Sequence, residues 1–167
     1  SVATARAALL AQFGDARLRQ RATMLWGHRG VGKSSIVRQV AEQHAVPLVD
    51  LRLTTLEPVD LRGAVYADER LERTVWFPPE FLPGPDQPQG VLFLDEITAA
   101  DPRLQVSAYS LILDRRVGNY HLPDGWMVVA AGNAAWQGAV AHEMGTALAD
   151  RMFHFEVQAT IDAFLAH

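Results

Sequence analysis

The sequence predicts an α/β domain built on a parallel sheet with helices on both faces. Two observations predict it. Short, fully apolar runs such as Val91–Leu94 and Trp126–Ala131 end abruptly at carboxylates or at glycine, as buried parallel strands do. Between these runs lie stretches whose apolar residues recur at helical spacing, so strands and helices alternate along the chain. At 167 residues, 49% of them apolar, the chain has room for one domain with a sizeable core.

The elements follow in order. Val2–Arg21 is rich in Ala, Leu and Arg at helical spacing and is interrupted by Gly14-Asp15, which predicts one or two leading helices. Ala22–Trp26 is a strand feeding the glycines at 27, 30 and 32. A helix opens near Lys33, runs through Gln43 and closes before Pro47, whose ring disfavours helix in the residue before it. Pro47–Leu53 is the second strand. A proline-rich stretch from Thr54 to Gly90 contains a short strand or hairpin arm at Arg73–Phe77 and an extended connection over Pro78–Gly90. Val91–Leu94 is a central strand. Asp101-Pro102 supplies an N-cap and a first-turn proline for a helix reaching about Arg115. Val117–Leu122 bends at Gly118-Asn119 as a small hairpin. Trp126–Ala131 is the next strand; a loop and short helix lead to the last one at Met152–Val157, and the final ten residues begin a further helix.

Composition removes several functions. Fifteen basic against nineteen acidic residues leave a formal charge of −4, which gives no general attraction to nucleic acid or anionic lipid, so neither is an expected partner. There is no cysteine, so thiolate catalysis and cysteine-based metal sites are excluded, and a reducing compartment is permitted; the cytoplasm is the expected location. No apolar run approaches the roughly 18–20 residues that cross a bilayer. The six histidines are scattered without H-E-x-x-H spacing, and no G-x-S-x-G occurs.

Of the fifteen basic residues only Lys33 is lysine, and it falls in Gly27-His28-Arg29-Gly30-Val31-Gly32-Lys33-Ser34. This matches the phosphate-loop pattern G-x-x-x-x-G-K-[ST], between a predicted strand and a predicted helix. Glycines let the main-chain N–H groups turn inward as an anion-binding nest at a helix N-terminus. A compact ammonium at Lys33 then meets the outer phosphates, and the Ser34 hydroxyl meets Mg²⁺. The nucleotide-binding candidates are Gly27, Arg29, Gly30, Val31, Gly32, Lys33, Ser34 and Ser35. Arg29 either adds charge near the terminal phosphate or points, with His28, to solvent or to a neighbour.

Val91–Leu94 ends in Asp95-Glu96, the pattern of a Walker B strand. Asp95, with Ser34, is the candidate metal ligand, and Glu96 is the candidate base for the attacking water. Asn133 follows Val128–Ala131 as Asp95 follows Val91–Leu94, so both emerge at the carboxyl edge of the sheet, where open α/β sheets bind ligands. Asn133 positions water or phosphate there, or forms an ordinary Asx turn.

The ordered set Gly27–Ser34, Val91–Glu96, Gly132-Asn133 and Asp150-Arg151 resembles an AAA+ ATPase core, a P-loop NTPase. The MoxR-type branch is suggested by Leu56–Gly63, by Trp76-Phe77-Pro78-Pro79 and by the hairpin at Arg116–Leu122. The resemblance implies a five-stranded sheet of order 5-1-4-3-2 with β-hairpin inserts, over residues 1–157. It places the start of a helical lid at 158–167, cut short at His167. It implies ATP and Mg²⁺ as cofactors and assembly with copies of itself into a ring, usually a hexamer. A protein client, typically linked to von Willebrand factor A domains, goes with that branch. By position Asn133 matches sensor 1, and Arg151 matches an arginine finger acting on a neighbour's phosphate, the plainer alternative being an ion pair with Asp150.

Other features leave two readings each. Arg115 and Arg116 are interface arginines or simply favour the helix C-terminus. Trp76, Phe77 and Phe81 are expected to pack on a satellite core rather than grip a partner. Tyr120 and His121 face a ring pore or form an exposed turn. The function expected is Mg-dependent ATP hydrolysis by a chaperone-like ring subunit, with reduced activity in a segment lacking its lid. The alternatives are a nucleotide-gated assembly module with little turnover and a small-molecule P-loop kinase. A GTPase would need N/T-K-x-D, and the sole lysine is already used.

Overall fold

The computed structural model describes residues 1–133 and 150–158. Its centre is a five-stranded parallel sheet made of β1 (Thr23–Trp26), β2 (Leu48–Arg52), β5 (Gln89–Asp95), β8 (Gly125–Gly132) and β9 (Phe153–Glu156), in the spatial order β2-β5-β8-β1-β9. Counting only these strands along the chain, the order is 5-1-4-3-2, as expected. The loop and short helix expected before β9 lie outside the described residues, as does the lid start apart from Gln158.

Alternation along the strands sorts side chains to two faces. Leu25, Val91, Phe93, Met127 and Val129 pack with Ile36, Val37 and Val40 of α2 (Lys33–Gln43) and with Leu9 and Phe13 of α1 (Val2–Gly14). Trp26, Leu92, Leu94, Trp126 and Val128 face the other way, onto Leu104, Ala108 and Leu111 of α4 (Pro102–Asp114). Both faces of the central strands are therefore dry, which is why their sequences read as unbroken apolar runs. The start of α4 is the one the sequence specifies: Pro102 opens it, and the Asp101 side chain accepts from the Arg103 N–H at 2.8 Å.

The second face has little slack where β5 begins. A Cβ added at Gly90 would lie 2.4 Å from the Trp126 ring, and that ring is pinned because its Nε1 donates to the Gln87 carbonyl at 2.7 Å. Gly90→Ala is expected to lower unfolding stability by about 1–3 kcal/mol through overpacking. Urea denaturation measures this, and an unchanged midpoint would show that Trp126 can move aside.

The proline-rich middle forms α3 (Pro58–Arg62) and an antiparallel hairpin of β3 (Ala64–Asp68) with β4 (Arg73–Phe77). Here one expectation fails. Phe81 is partly buried against the core and Trp76 is half-buried, but Phe77 is 55% exposed and stands in an edge-on contact with the exposed Tyr66 ring, at 4.9 Å between centroids. Among the described residues the hairpin is a two-stranded sheet with no third strand beside it, which leaves Phe77 uncovered.

The small hairpin of β6 (Arg116–Val117) and β7 (Tyr120–His121) forms as expected, but neither reading of Tyr120 survives. Tyr120 is buried, and its hydroxyl donates to the Pro83 carbonyl at 2.8 Å; burial pushes its ionisation well above the ordinary tyrosine range. Arg115, expected as an interface arginine or as a partner of the helix C-terminus, is held by bonds within the chain. It ends α4 in the left-handed region (φ 56°), and its Nη2 donates to the carbonyls of Pro123 and Trp126 at 2.9 and 2.6 Å, tying the hairpin to β8. Arg116 and His121 are exposed.

Candidate nucleotide site

Because the five strands are parallel, all their carboxyl ends meet at one edge, and the sequence has placed its polar residues there. The loop after β1, the acidic end of β5 and the end of β8 enclose a cavity of about 680 Å³. Gly27, Arg29, Gly30, Gly32, Lys33, Ser34, Ser35, Asp95, Glu96 and Asn133 all line it, so ten of the expected site residues are brought together. Val31 is not on the wall; its side chain turns inward against the α1–α2 core and anchors the loop.

The loop begins where the Gly27 N–H donates to the Gly132 carbonyl at 3.2 Å. Gly30 and Gly32 adopt φ of +81° and +95°, a left-handed backbone that disfavours any residue with a Cβ. Gly32 is the N-cap of α2 and offers no side-chain cap, leaving the first-turn N–H groups at the cavity for an anion. Lys33 follows at the first helical position. Its ammonium donates to the carbonyls of Gly27 and His28 at 2.7 and 2.9 Å, which holds the loop closed around it. Burial lowers the Lys33 pKa from its ordinary value, the negative charges of Asp95 and Glu96 pull it back up, and Arg29 adds to the lowering.

Across the cavity the Ser34 hydroxyl donates to Oδ2 of Asp95 at 3.2 Å, while Oδ1 accepts the Glu96 N–H at 2.8 Å. In a continuing strand Asp95 and Glu96 would point to opposite faces. Glu96 instead takes a left-handed conformation (φ 58°, ψ 32°), so both carboxylates face the same cavity. A non-glycine residue there costs about 1–2 kcal/mol, a strain typical of functional sites. Glu96 is engaged at both oxygens: Oε2 accepts from the Thr54 hydroxyl, and Oε1 lies 3.5 Å from Nη2 of Arg29. At the third strand end, the Asn133 N–H donates to the Thr98 hydroxyl at 3.1 Å.

Arg151 is the exception. β9 runs parallel to β1, with Thr23 opposite Phe153 and Trp26 opposite Glu156. Arg151 therefore precedes the amino end of β9, at the opposite edge of the sheet from the cavity, about 13 Å away for four residues of strand. It is exposed and forms no ion pair with Asp150; Arg21 instead donates to the Asp150 and Arg151 carbonyls.

Three polar side chains at the site were not anticipated. Arg52 and Thr98 line the cavity and Thr54 bonds Glu96. Arg52 was detectable, since it ends β2 as Asp95 ends β5, and the two are register partners. The hydroxyls carried no sequence signal.

The donor set fits a magnesium ion. Among the described residues no group of three or more His, Cys, Asp or Glu side chains could hold a metal alone. One hydroxyl and one carboxylate, side by side, suit Mg²⁺, which usually keeps several waters and takes its remaining ligands from substrate phosphates. No helix among the described residues is long and apolar enough to cross a membrane.

A glycine-rich loop on the switch edge of a 5-1-4-3-2 sheet, facing an acidic strand end, defines a P-loop NTPase fold. Residues 23–137 match the profile of the AAA family, ATPases associated with various cellular activities, and the chain belongs to that family. Among solved structures it is similar to a candidate ATPase from Cytophaga hutchinsonii, at TM-score 0.60 and 16% identity over 97% of this chain and 48% of that one. It is also similar to NtrX from Brucella abortus, at TM-score 0.57 and 17% identity over 90% of this chain and 36% of that one. NtrX in complex with ADP matches at TM-score 0.58 and 18% identity, over 90% and 35%. The chain thus spans about half the length of the first and about a third of NtrX. No curated protein matches it.

Proposed function

We propose that this chain binds ATP with Mg²⁺ and hydrolyses it as the nucleotide-binding core of a ring-forming AAA+ subunit of the MoxR type. The observation that carries the reading is the convergence of Lys33, Ser34, Asp95, Glu96 and Asn133 on one cavity at the carboxyl edge of the sheet. The likeness to an ADP-bound NtrX structure supports a nucleotide as the ligand. Lys33 and the α2 N-terminal amides bind the phosphates, Glu96 orients and deprotonates the attacking water, and Asn133 positions that water or the terminal phosphate. Ser34 and Asp95 would hold Mg²⁺, which supplies neutralisation of phosphate charge when bound.

Ring assembly is proposed from the position of Arg151. A guanidinium at the edge opposite its own cavity serves a phosphate only on a neighbouring copy, and a hexamer is the form the branch implies. The inserts β3–β4 and β6–β7 support the MoxR assignment, and a protein client, of the kind carrying a von Willebrand factor A domain, goes with it. The nucleotide-gated module with little turnover is favoured by one observation, the engagement of both Glu96 oxygens.

The test is solution mass and phosphate release with and without ATP·Mg²⁺. Binding with a mass increase is expected; no nucleotide binding would overturn the reading. Arg151→Ala is expected to keep nucleotide affinity within about twofold and to lose the assembly-dependent part of turnover, about 10³-fold or more for an arginine that neutralises transition-state charge. Wild-type turnover by the Arg151→Ala assembly would remove the finger role.

A further inference from the structure

Arg29 stands in the phosphate loop between Gly27 and Gly30, and its side chain is 77% exposed, yet its guanidinium reaches Glu96 across the cavity mouth. With Thr54 on Oε2 and Arg29 at Oε1, the Glu96 carboxylate has a partner at each oxygen. An oxygen already held by a hydroxyl or a guanidinium is not free to accept a hydrogen bond from water. We propose that Arg29 is a positioning residue with two alternating partners. It restrains Glu96 in the absence of a triphosphate, and moves to the terminal phosphate when a triphosphate fills the loop, freeing Oε1 to meet water. The inference rests on the nucleotide reading above and adds a link within it: the group that detects the third phosphate is the group that releases the base.

Three features make the exchange physically reasonable. The first is strength. An ion pair this exposed is weak, so a terminal phosphate, with more charge and three acceptor oxygens, competes for the guanidinium successfully. The second is freedom. Among the described residues, no heavy atom lies within 4 Å of where a Cβ would stand at Gly30 or Gly32, so that side of the loop has room to move. The third is division of labour. Lys33 is buried and committed to the Gly27 and His28 carbonyls, whereas Arg29 is exposed and, among the described residues, pairs with Glu96.

The test compares a diphosphate with a triphosphate, using ADP and the non-hydrolysable AMP-PNP in competition with a fluorescent nucleotide in the presence of Mg²⁺. Arg29→Ala is expected to weaken AMP-PNP binding about tenfold, the loss of one charge-assisted contact, while ADP changes less than about twofold. Glu96→Gln is expected to bind AMP-PNP about two- to fivefold more tightly, because the competing ion pair is gone. That gain should vanish in the Arg29→Ala, Glu96→Gln double variant, and Arg29→Lys should recover part of the triphosphate preference. Arg29 is exposed, so unchanged thermal unfolding is expected for each Arg29 variant. Equal weakening of both nucleotides by Arg29→Ala, or persistence of the Glu96→Gln gain without Arg29, would overturn the exchange while leaving the nucleotide site standing. Failure of the wild-type chain to bind either nucleotide would remove the site and the exchange with it.

Discussion

Glu96→Gln is expected to lower ATP turnover by about 10²–10⁴-fold, the range that a positioned general base contributes. The substitution keeps the size and shape of the side chain, so the left-handed turn at residue 96 and the Thr54 contact can persist. What disappears is the negative charge proposed to orient and deprotonate water. Nucleotide binding should be retained, because the groups proposed to hold the phosphates are Lys33 and the loop amides rather than Glu96. Phosphate release measured beside direct nucleotide binding separates the two effects. Turnover at the wild-type rate would show that Glu96 is not the base, and Asp95 would be the next carboxylate to consider.

Lys33→Ala is expected to weaken ATP affinity by at least about tenfold and up to about 100-fold, the equivalent of one to two charge-assisted contacts. The effect is large because the ammonium is nearly buried, where charge interactions are screened less than at the surface. It also has a second task, since its bonds to the Gly27 and His28 carbonyls draw the loop around the site. Stability should change little: those two carbonyls border an open cavity and can be hydrated once the ammonium is gone. Titration of ATP·Mg²⁺ into the variant, with a thermal unfolding control, checks both parts. Unchanged ATP affinity would break the link between the loop and the phosphates.

Much of the site was legible because it obeys rules local to the chain. Gly30 and Gly32 are required by backbone conformation, Lys33 by the compactness of its charge, and Asp101-Pro102 by the start of a helix. The strand order came from resemblance, while the alternation of Leu92 and Leu94 against Val91 and Phe93 shows that both faces of β5 are covered. Tyr120 and Phe77 differ from expectation for one shared reason. Each depends on a part of the chain outside its own hairpin: Pro83 for Tyr120 and, for Phe77, a third layer that is absent beneath the hairpin among the described residues.

By itself the sequence determined the apolar strands, the loop between β1 and α2, and which polar residues stand at strand ends, because periodicity, glycine and the spacing of one lysine act over a few residues. Only the tertiary structure decided that Asp95 and Glu96 face the same cavity, that Arg29 and Thr54 hold Glu96 between them, and that Arg151 stands at the far edge. The contacts that hold Glu96 and β9 in place join residues 42 to 129 apart in sequence. They depend on strand order, register and a single left-handed residue, and no local pattern of side chains encodes them.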